Sequence, residues 1–440
     1  MAVTASPGPG RVLIALGAGP LVAEPSWTRF DNVPGCNWSG YDSFAGRQTE
    51  FDTTDTGTAT VYFFDTNGTF NDSSLVGLQI MLQLYNPVAN EWQIRWRGHI
   101  DDIERALVDV PGIPLANVSV RCTDIFDYLG RCKMLPGVFG DVAPAGMNGV
   151  VFYEDGRFDD RNIHLLTDAL IPTDMYVVFT GNVNLNETLY DPDDSILQAI
   201  RDACDAEFPS GVANAYVDRY GRVAIHGRFA RFDPEGTAAS ASNWDFTRWH
   251  AATREDVTTG VAQISEFSDN TPRSRILNTY TAWPRADENG VEFDRSLIAT
   301  DMVKMDSGSI SQFGYSGDDA PDLLTKDHYT NGNTGKDECE LFAQFYVENY
   351  SQPRKAIQGV TFKSVWPYDP RAASTWDFMC RADISDAINL TVDEAGLNDE
   401  PYFIDGISVE CRVLNPDYDL VTVKPNLTPA SYFGTDVFSE

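Results

Sequence analysis

Histidine, cysteine and serine are the residues in this sequence that could hold a metal or attack a substrate. The five histidines lie tens of residues apart and form none of the paired spacings that bind zinc. The seven cysteines include no CxxC pair, so we expect reduced and mostly buried thiols. No serine lies in a GxSxG turn. The sequence therefore predicts no metal site, no cofactor and no nucleophilic enzyme.

Carboxylates are the remaining candidates for chemistry. Asp191, Asp193 and Asp194 could form a glycosidase acid pair or ligate calcium. They stand directly before a helical pattern, where acidic residues more often complement the helix dipole. The segment Asp65-Thr66-Asn67-Gly68 resembles a calcium loop, but it lacks the glutamate that completes such a loop, and we interpret it as a turn.

Length and charge narrow the function classes further. The chain has 440 residues, 42% of them hydrophobic, which predicts two to four folded domains. Its 65 acidic residues outnumber 32 basic ones, giving a net charge of −33. Affinity for phosphates comes from clustered Lys and Arg, so this balance excludes an adhesive nucleic-acid binder. The apolar segment 12–16 is too short for a membrane span or a signal peptide, so we expect no membrane anchor.

Strand patterns dominate the chain, and helices appear in its middle. Residues 58–64 are dense in β-branched and aromatic types, and 78–84 with 92–96 predict a hairpin. Apolar residues recur on a 3.6-residue period after Asp194 or Ser195, which predicts a capped helix up to residue 208. A second helix is predicted over 336–350. We therefore predict a mainly β, α+β fold with α/β insertions.

Several short motifs follow one another in a fixed order along the chain: Gly46-Arg47, Gly57-Thr58-Ala59-Thr60-Val61, Arg97-Gly98-His99-Ile100-Asp101, Tyr216-Val217-Asp218-Arg219-Tyr220-Gly221-Arg222-Val223, Phe403-Ile404-Asp405-Gly406-Ile407 and Leu427-Thr428-Pro429. In this succession the chain resembles the minor tail proteins of long-tailed bacteriophages, specifically the tail-tip hub. That hub is similar to the central hub of contractile-phage baseplates.

The resemblance implies two related β-barrel-like domains with inserted helical or mixed domains. Together with a Gly- and Pro-rich N-terminus, it predicts the following division: a flexible N-terminal arm over 1–24, a first barrel-like hub domain over 25–129, an α/β insertion over 130–259, a second barrel-like hub domain over 260–312 and 378–435, and a helix-containing insertion over 313–377.

The resemblance also implies a function and partners. The chain would be a non-enzymatic virion protein at the tail tip, made in the host cytoplasm. It would form a homotrimer that closes the tail tube beneath the tape measure protein, next to the distal tail protein and other tail-tip or fibre proteins. Genomic DNA would pass through the ring without specific binding. Carboxylates lining the channel would repel phosphates, although the acidity could instead keep the free subunit soluble.

The strands near 58–64 and 386–392, together with the arm 1–24, are the predicted assembly contacts. The named candidates are Thr58, Val61, Phe63, Ile388 and Leu390. Three other functions stay open at this point: a hexameric distal tail protein, a receptor- or glycan-binding module that uses exposed aromatic residues, and a cell-wall hydrolase.

Overall fold

The protein is mainly β, with most of its helices in two insertions, which confirms the predicted fold class. A computed structural model describes residues 8–48, 52–110, 113–143, 149–181, 183–207, 214–227, 230–231, 247–253, 260–285, 293–298, 302–320, 323–324, 338–367, 369–415 and 418–433. Fourteen strands join in one sheet, and the described residues form no closed barrel. The two predicted barrel-like domains are therefore two halves of an open sheet.

The first half of the sheet is built from seven strands, which we call unit A. They are β1 (Gly10–Ile14), β2 (Thr28–Arg29), β3 (Cys36–Gly46), β4 (Asp55–Asp65), β5 (Gln79–Asn86), β6 (Glu91–Val110) and β7 (Ile113–Thr123). Their spatial order is β3-β4-β7-β6-β5-β1-β2. Side chains alternate along β4, where Val61 and Phe63 point into the core while Thr58 and Tyr62 face outward.

Part of the predicted flexible arm is an integral strand. Residues 10–14 form β1, which pairs along its whole length with β5. Val12 and Ile14 are fully buried in the core of the sheet. Glycine and proline flank this short apolar run in the sequence, and its partner strand β5 lies about seventy positions away. Composition alone therefore did not predict that residues 10–14 form a strand. Residues 1–7 lie outside the described part of the chain.

The first insertion leaves the sheet after β7 and has its own core. It contains α1 (Ile125–Arg131), β8 (Val151–Tyr153), β9 (Gly156–Arg157), α2 (Phe158–Asp168), β10 (Tyr176–Val178), β11 (Asn184–Leu185), β12 (Thr188–Tyr190), α3 (Ile196–Ala206), β13 (Asn214–Val217) and β14 (Val223–His226). Ser195 caps α3 by accepting the Gln198 backbone N–H at 3.2 Å, as the sequence predicts.

The second half of the sheet, unit B, also has seven strands. They are β15 (Arg248–Ala252), β16 (Val261–Gln263), β17 (Glu266–Asn270), β21 (Ala356–Trp366), β22 (Ala387–Val392), β23 (Leu397–Asn415) and β24 (Tyr418–Pro429). Between β21 and β22, α6 (Ala373–Arg381) packs its apolar face against the sheet.

The second insertion lies between β17 and β21, with a core of its own. It contains β18 (Thr279–Thr281), β19 (Val303–Met305), α4 (Ser307–Phe313), β20 (Gly317–Asp319) and α5 (Glu338–Tyr350). The predicted boundaries differ from this division: β15 and β21 belong to the sheet, although they lie in the segments 130–259 and 313–377, and β18 and β19 belong to the insertion. Residues 336–337 of the predicted second helix lie outside the described residues.

Units A and B share a core of five antiparallel strands in the same order. It runs β3-β4-β7-β6-β5 in unit A and β17-β21-β24-β23-β22 in unit B. The next strand differs in direction, since β1 is antiparallel to β5 whereas β15 is parallel to β22. The long strands share a bulge at the same place, at Asp101 in β6 and at Asp405 in β23. The surrounding sequences match as Ile100-Asp101-Asp102-Ile103 and Ile404-Asp405-Gly406-Ile407. The sheet is therefore an internal duplication.

The buried Asp419 carboxyl at the start of β24 gives a pH-dependent contribution to stability. Burial raises the pKa of Asp419 to about 6, and the residue is 8% exposed. Between about pH 4 and 6 the unfolded chain releases this proton while the folded chain retains it, so the free energy of unfolding falls as pH rises. We expect Asp419→Asn to remove this slope and to stabilise the protein above pH 6 by about 1–2 kcal/mol, allowing for solvent screening.

Urea unfolding of both proteins at several pH values measures this effect. A difference in unfolding free energy that stays constant from pH 4 to 7 would contradict it.

Candidate assembly surface

Units A and B are joined by a continuous ladder between β3 and β23. Seven residue pairs run antiparallel from Gly406 opposite Gly46 to Arg412 opposite Gly40. Cys411 and Tyr41 face each other in this ladder, and both are fully buried. The edge of β23 in unit B is therefore covered by β3, the strand that begins the spatial order of unit A.

Buried charges fix this joint where the ladder begins. The carboxylate of Asp405 lies 2.9 Å from the guanidinium of Arg47 and 2.9 Å from that of Arg231. The three side chains are at most 4% exposed. The Thr428 hydroxyl donates to the same carboxylate. Burial by itself would raise the pKa of Asp405, but the two arginines outweigh burial and lower it.

One face of the sheet stays open to solvent across the joint. A single row of directly opposite residues crosses seven strands on this face, and all of them except the buried Thr422 reach solvent: Asp102, Arg121, Thr60, Asp42, Glu410, Thr422 and Lys363. The face is concave at the joint, where residues of β3, β4, β23 and β24 line a shallow depression. We call this surface the open face.

Acidic and basic side chains pair with each other on the open face. Glu104 lies 2.8 Å from Arg121, and Glu266 lies 2.5 Å from Lys363. Glu410 contacts Arg412. Part of the negative charge of the chain is therefore balanced by neighbouring cations on this face.

Four of the five predicted contact residues lie in the core. Val61, Ile388 and Leu390 are fully buried, and Phe63 is 2% exposed. They alternate with outward residues along their strands and pack inside the chain, so they cannot touch a partner while the sheet is folded. Thr58 is exposed on the open face and lines the depression at the joint.

The candidate catalytic groups of the sequence have structural roles or are inaccessible. The Ser385 hydroxyl lies 3.2 Å from Nδ1 of His226, a spacing that would suit a nucleophile and its base. Both residues are at most 1% exposed, and burial lowers the pKa of His226, so no substrate reaches this pair. Within the described residues, no three His, Cys, Asp or Glu side chains gather as metal ligands.

The carboxylates of the two acidic motifs stabilise local turns. Asp65 accepts the backbone N–H groups of Asn67 and Phe70 at 3.0 Å, which makes its segment a turn, as predicted. Asp194 accepts the backbone N–H of Asp191 at 2.9 Å, just before α3.

All seven cysteines are free thiols. Nowhere in the described residues is a helix long and apolar enough to span a membrane.

The residues that make the joint were not singled out as contacts by the sequence interpretation. Arg47 and Asp405 were noted only as parts of motifs, and their partnership joins strands more than 350 positions apart. One local signal was available: the Ile-Asp-x-Ile motif occurs twice, at 100–103 and at 404–407. This repeat marks the two bulged strands.

The architecture is that of bacteriophage tail proteins. It is similar to a tail protein from Neisseria meningitidis, with a TM-score of 0.52 and 11% identity over 94% of this chain and 96% of that one. It is also similar to a 43 kDa tail protein of prophage MuSo2 from Shewanella oneidensis, with a TM-score of 0.55 and 10% identity over 96% and 99% of the two chains. The predicted resemblance to tail proteins is thus confirmed at the level of the fold. No protein-family model and no curated protein matches the sequence.

Proposed function

We propose that this chain is a structural, non-enzymatic component of a bacteriophage-type tail, serving as the tail-tip hub. The observation that carries the proposal is the duplicated five-stranded core of the two sheet units, found in a chain with the fold of tail proteins. Its place would be the tail tip of the virion. There it would contact the distal tail protein, the tail tube, the tape measure protein and other tail-tip or fibre proteins.

Internal duplication supports a trimeric ring. Three chains would present six related units, which matches a six-fold tube without a symmetry mismatch at the interface. The joint between β3 and β23 would be one of three contacts made within chains, and three similar contacts would lie between chains. A ring closes only when such head-to-tail contacts repeat around one axis.

The open face is our candidate for the wall of the DNA channel. Ion pairs on this face occupy cations such as Arg121, so a passing phosphate would have to displace Glu104 before binding. The wall would resist DNA adhesion by neutralising its own arginines.

Removing the acidic partners should make this wall adhesive. We expect a Glu104→Gln, Glu410→Gln variant to bind short duplex DNA at low salt, with an affinity that falls as salt rises, while the wild-type protein binds none. Fluorescence anisotropy of labelled DNA measures this. The matched control is Glu91→Gln, Glu394→Gln, which removes two exposed acids away from the open face. Equal DNA binding by both variants would contradict the role of the open face.

The mass of the assembled protein tests the function itself. Light scattering on purified protein at high concentration should give three times the mass of one chain. A hexamer would favour the distal tail protein instead, and a monomer that turned over a cell-wall substrate would overturn the proposal.

A further inference from the structure

We propose that β6 of one protomer pairs with β17 of the next, so that the joint seen within the chain is repeated between chains. The occupant of each free edge is a second copy of this protein. This inference rests on the trimeric ring proposed above and names the residues that would close it.

The long strand of unit A has a free edge where that of unit B is covered. Beyond its bulge, β23 pairs with β24 on one side and with β3 on the other. Beyond its own bulge, β6 pairs with β7 on one side, and no strand of the described chain pairs with its other side. An uncovered edge of this length is a template for another strand.

An apolar side chain marks this free edge. Leu107 stands six residues after the bulged Asp101, as Cys411 stands six residues after the bulged Asp405. Both point to the core side of their strands. Cys411 is fully buried beneath β3, whereas Leu107 is 84% exposed. A leucine at a core-facing position is left in solvent because the strand that would cover it is missing.

The complementary edge belongs to β17, the strand that begins the spatial order of unit B. β17 pairs with β21 just as β3 pairs with β4, and its other side has no partner strand among the described residues. Phe267 lies opposite Val360, as Tyr41 lies opposite Val61. Phe267 is therefore the unit B equivalent of Tyr41.

These equivalences fix the register of the contact between chains. Tyr41 lies opposite Cys411 within the chain, so Phe267 of one protomer should lie opposite Leu107 of its neighbour. One position further along, Ser268 should lie opposite Ala106, on the open face. The pair of Leu107 and Phe267 would bury an exposed leucine against a half-buried aromatic ring.

The contact is head-to-tail, because it joins different surfaces of the two chains. The long strand β23 pairs with β3 within the chain. The long strand β6 would pair with β17 of the neighbouring chain, so the two kinds of contact alternate around the ring. Each protomer therefore offers one free β6 edge and one free β17 edge. A closed ring uses every such edge, whereas an open chain of protomers leaves one edge of each kind unpaired at its ends.

Disulfide cross-linking tests the register. The variant Ala106→Cys, Ser268→Cys places thiols on two exposed positions that are predicted to face each other only between neighbouring protomers. Directly opposite residues in antiparallel strands have Cα atoms about 4.5–5.5 Å apart, which a disulfide can span. Mild oxidation should give dimers and trimers on non-reducing gels, and reduction should return them to single chains.

Matched controls separate a specific joint from random collision. Each single-cysteine variant, and the pair Thr58→Cys, Ser268→Cys, should stay uncross-linked, since Thr58 is exposed in the middle of the same face. Cross-linking of the Thr58 pair at the same rate would overturn the proposed register.

The mass of the unoxidised protein distinguishes the two proposals. A trimer that does not cross-link through Ala106 and Ser268 would overturn this joint and leave the hub function standing. A protein that remains a monomer at its highest soluble concentration would overturn both.

Discussion

Replacing Asp405 with asparagine is expected to lower the free energy of unfolding by about 3–5 kcal/mol. In the wild-type protein the guanidinium groups of Arg47 and Arg231 each lie 2.9 Å from the Asp405 carboxylate. The substitution leaves both groups buried without a counter-charge. Because the pKa of Asp405 is lowered, its stabilising contribution is present at neutral pH and is lost as pH falls below the ordinary carboxyl range. Guanidinium unfolding followed by tryptophan fluorescence measures the loss.

The internal duplication supplies the control for this experiment. Asp101 occupies the equivalent bulge in unit A, but it is 43% exposed and lies 3.0 Å from Arg131 at the surface. We expect Asp101→Asn to cost less than about 0.5 kcal/mol. If Asp405→Asn does not fold, Thr428→Val provides a milder change, which removes one donor to the carboxylate and should cost about 1 kcal/mol. Equal losses of unfolding free energy for Asp405→Asn and Asp101→Asn would contradict a stabilising role of the buried ion pairs of Asp405 with Arg47 and Arg231.

Changing Leu107 to aspartate is expected to prevent assembly without unfolding the subunit. Leu107 is 84% exposed in the single chain, so a polar residue is tolerated there. In the proposed contact the substitution removes the burial of a leucine and places a carboxylate against Phe267. These two costs together exceed about 3 kcal/mol, which weakens each contact at least about 100-fold.

Sedimentation measures this dissociation, and thermal unfolding of the monomer checks the fold. Val142→Asp is the matched control, because Val142 is 91% exposed in the first insertion and should leave the trimer intact. A Leu107→Asp protein that still forms trimers with wild-type affinity would exclude the β6 edge from the interface.

Local patterns in the sequence were sufficient to predict the individual elements. The density of β-branched and aromatic residues over 58–64 identified β4, and the apolar stripe after Asp194 or Ser195 identified α3. The hairpin of β13 and β14 could also be predicted from the sequence, since its strands are joined by a short turn that contains Gly221. In each case the sequence pattern that predicts the element lies within a few residues along the chain.

The arrangement of these elements depended on contacts that carry no local signal. The ladder between β3 and β23 joins residues about 370 positions apart, and β21 lies in the sheet only because it pairs with β24. For the same reason the inward residues Val61 and Ile388 were mistaken for contacts: alternation distinguishes two faces of a strand but not which face stays open. The Ile-Asp-x-Ile repeat was the one available indication of the duplication.

Electron cryomicroscopy of the assembled protein tests the central claim most directly. The claim predicts a three-fold ring of six sheet units, with β6 of each protomer continuing into β17 of the next. A ring of six copies with six-fold symmetry, or a trimer whose contacts lie away from both edges, would contradict it.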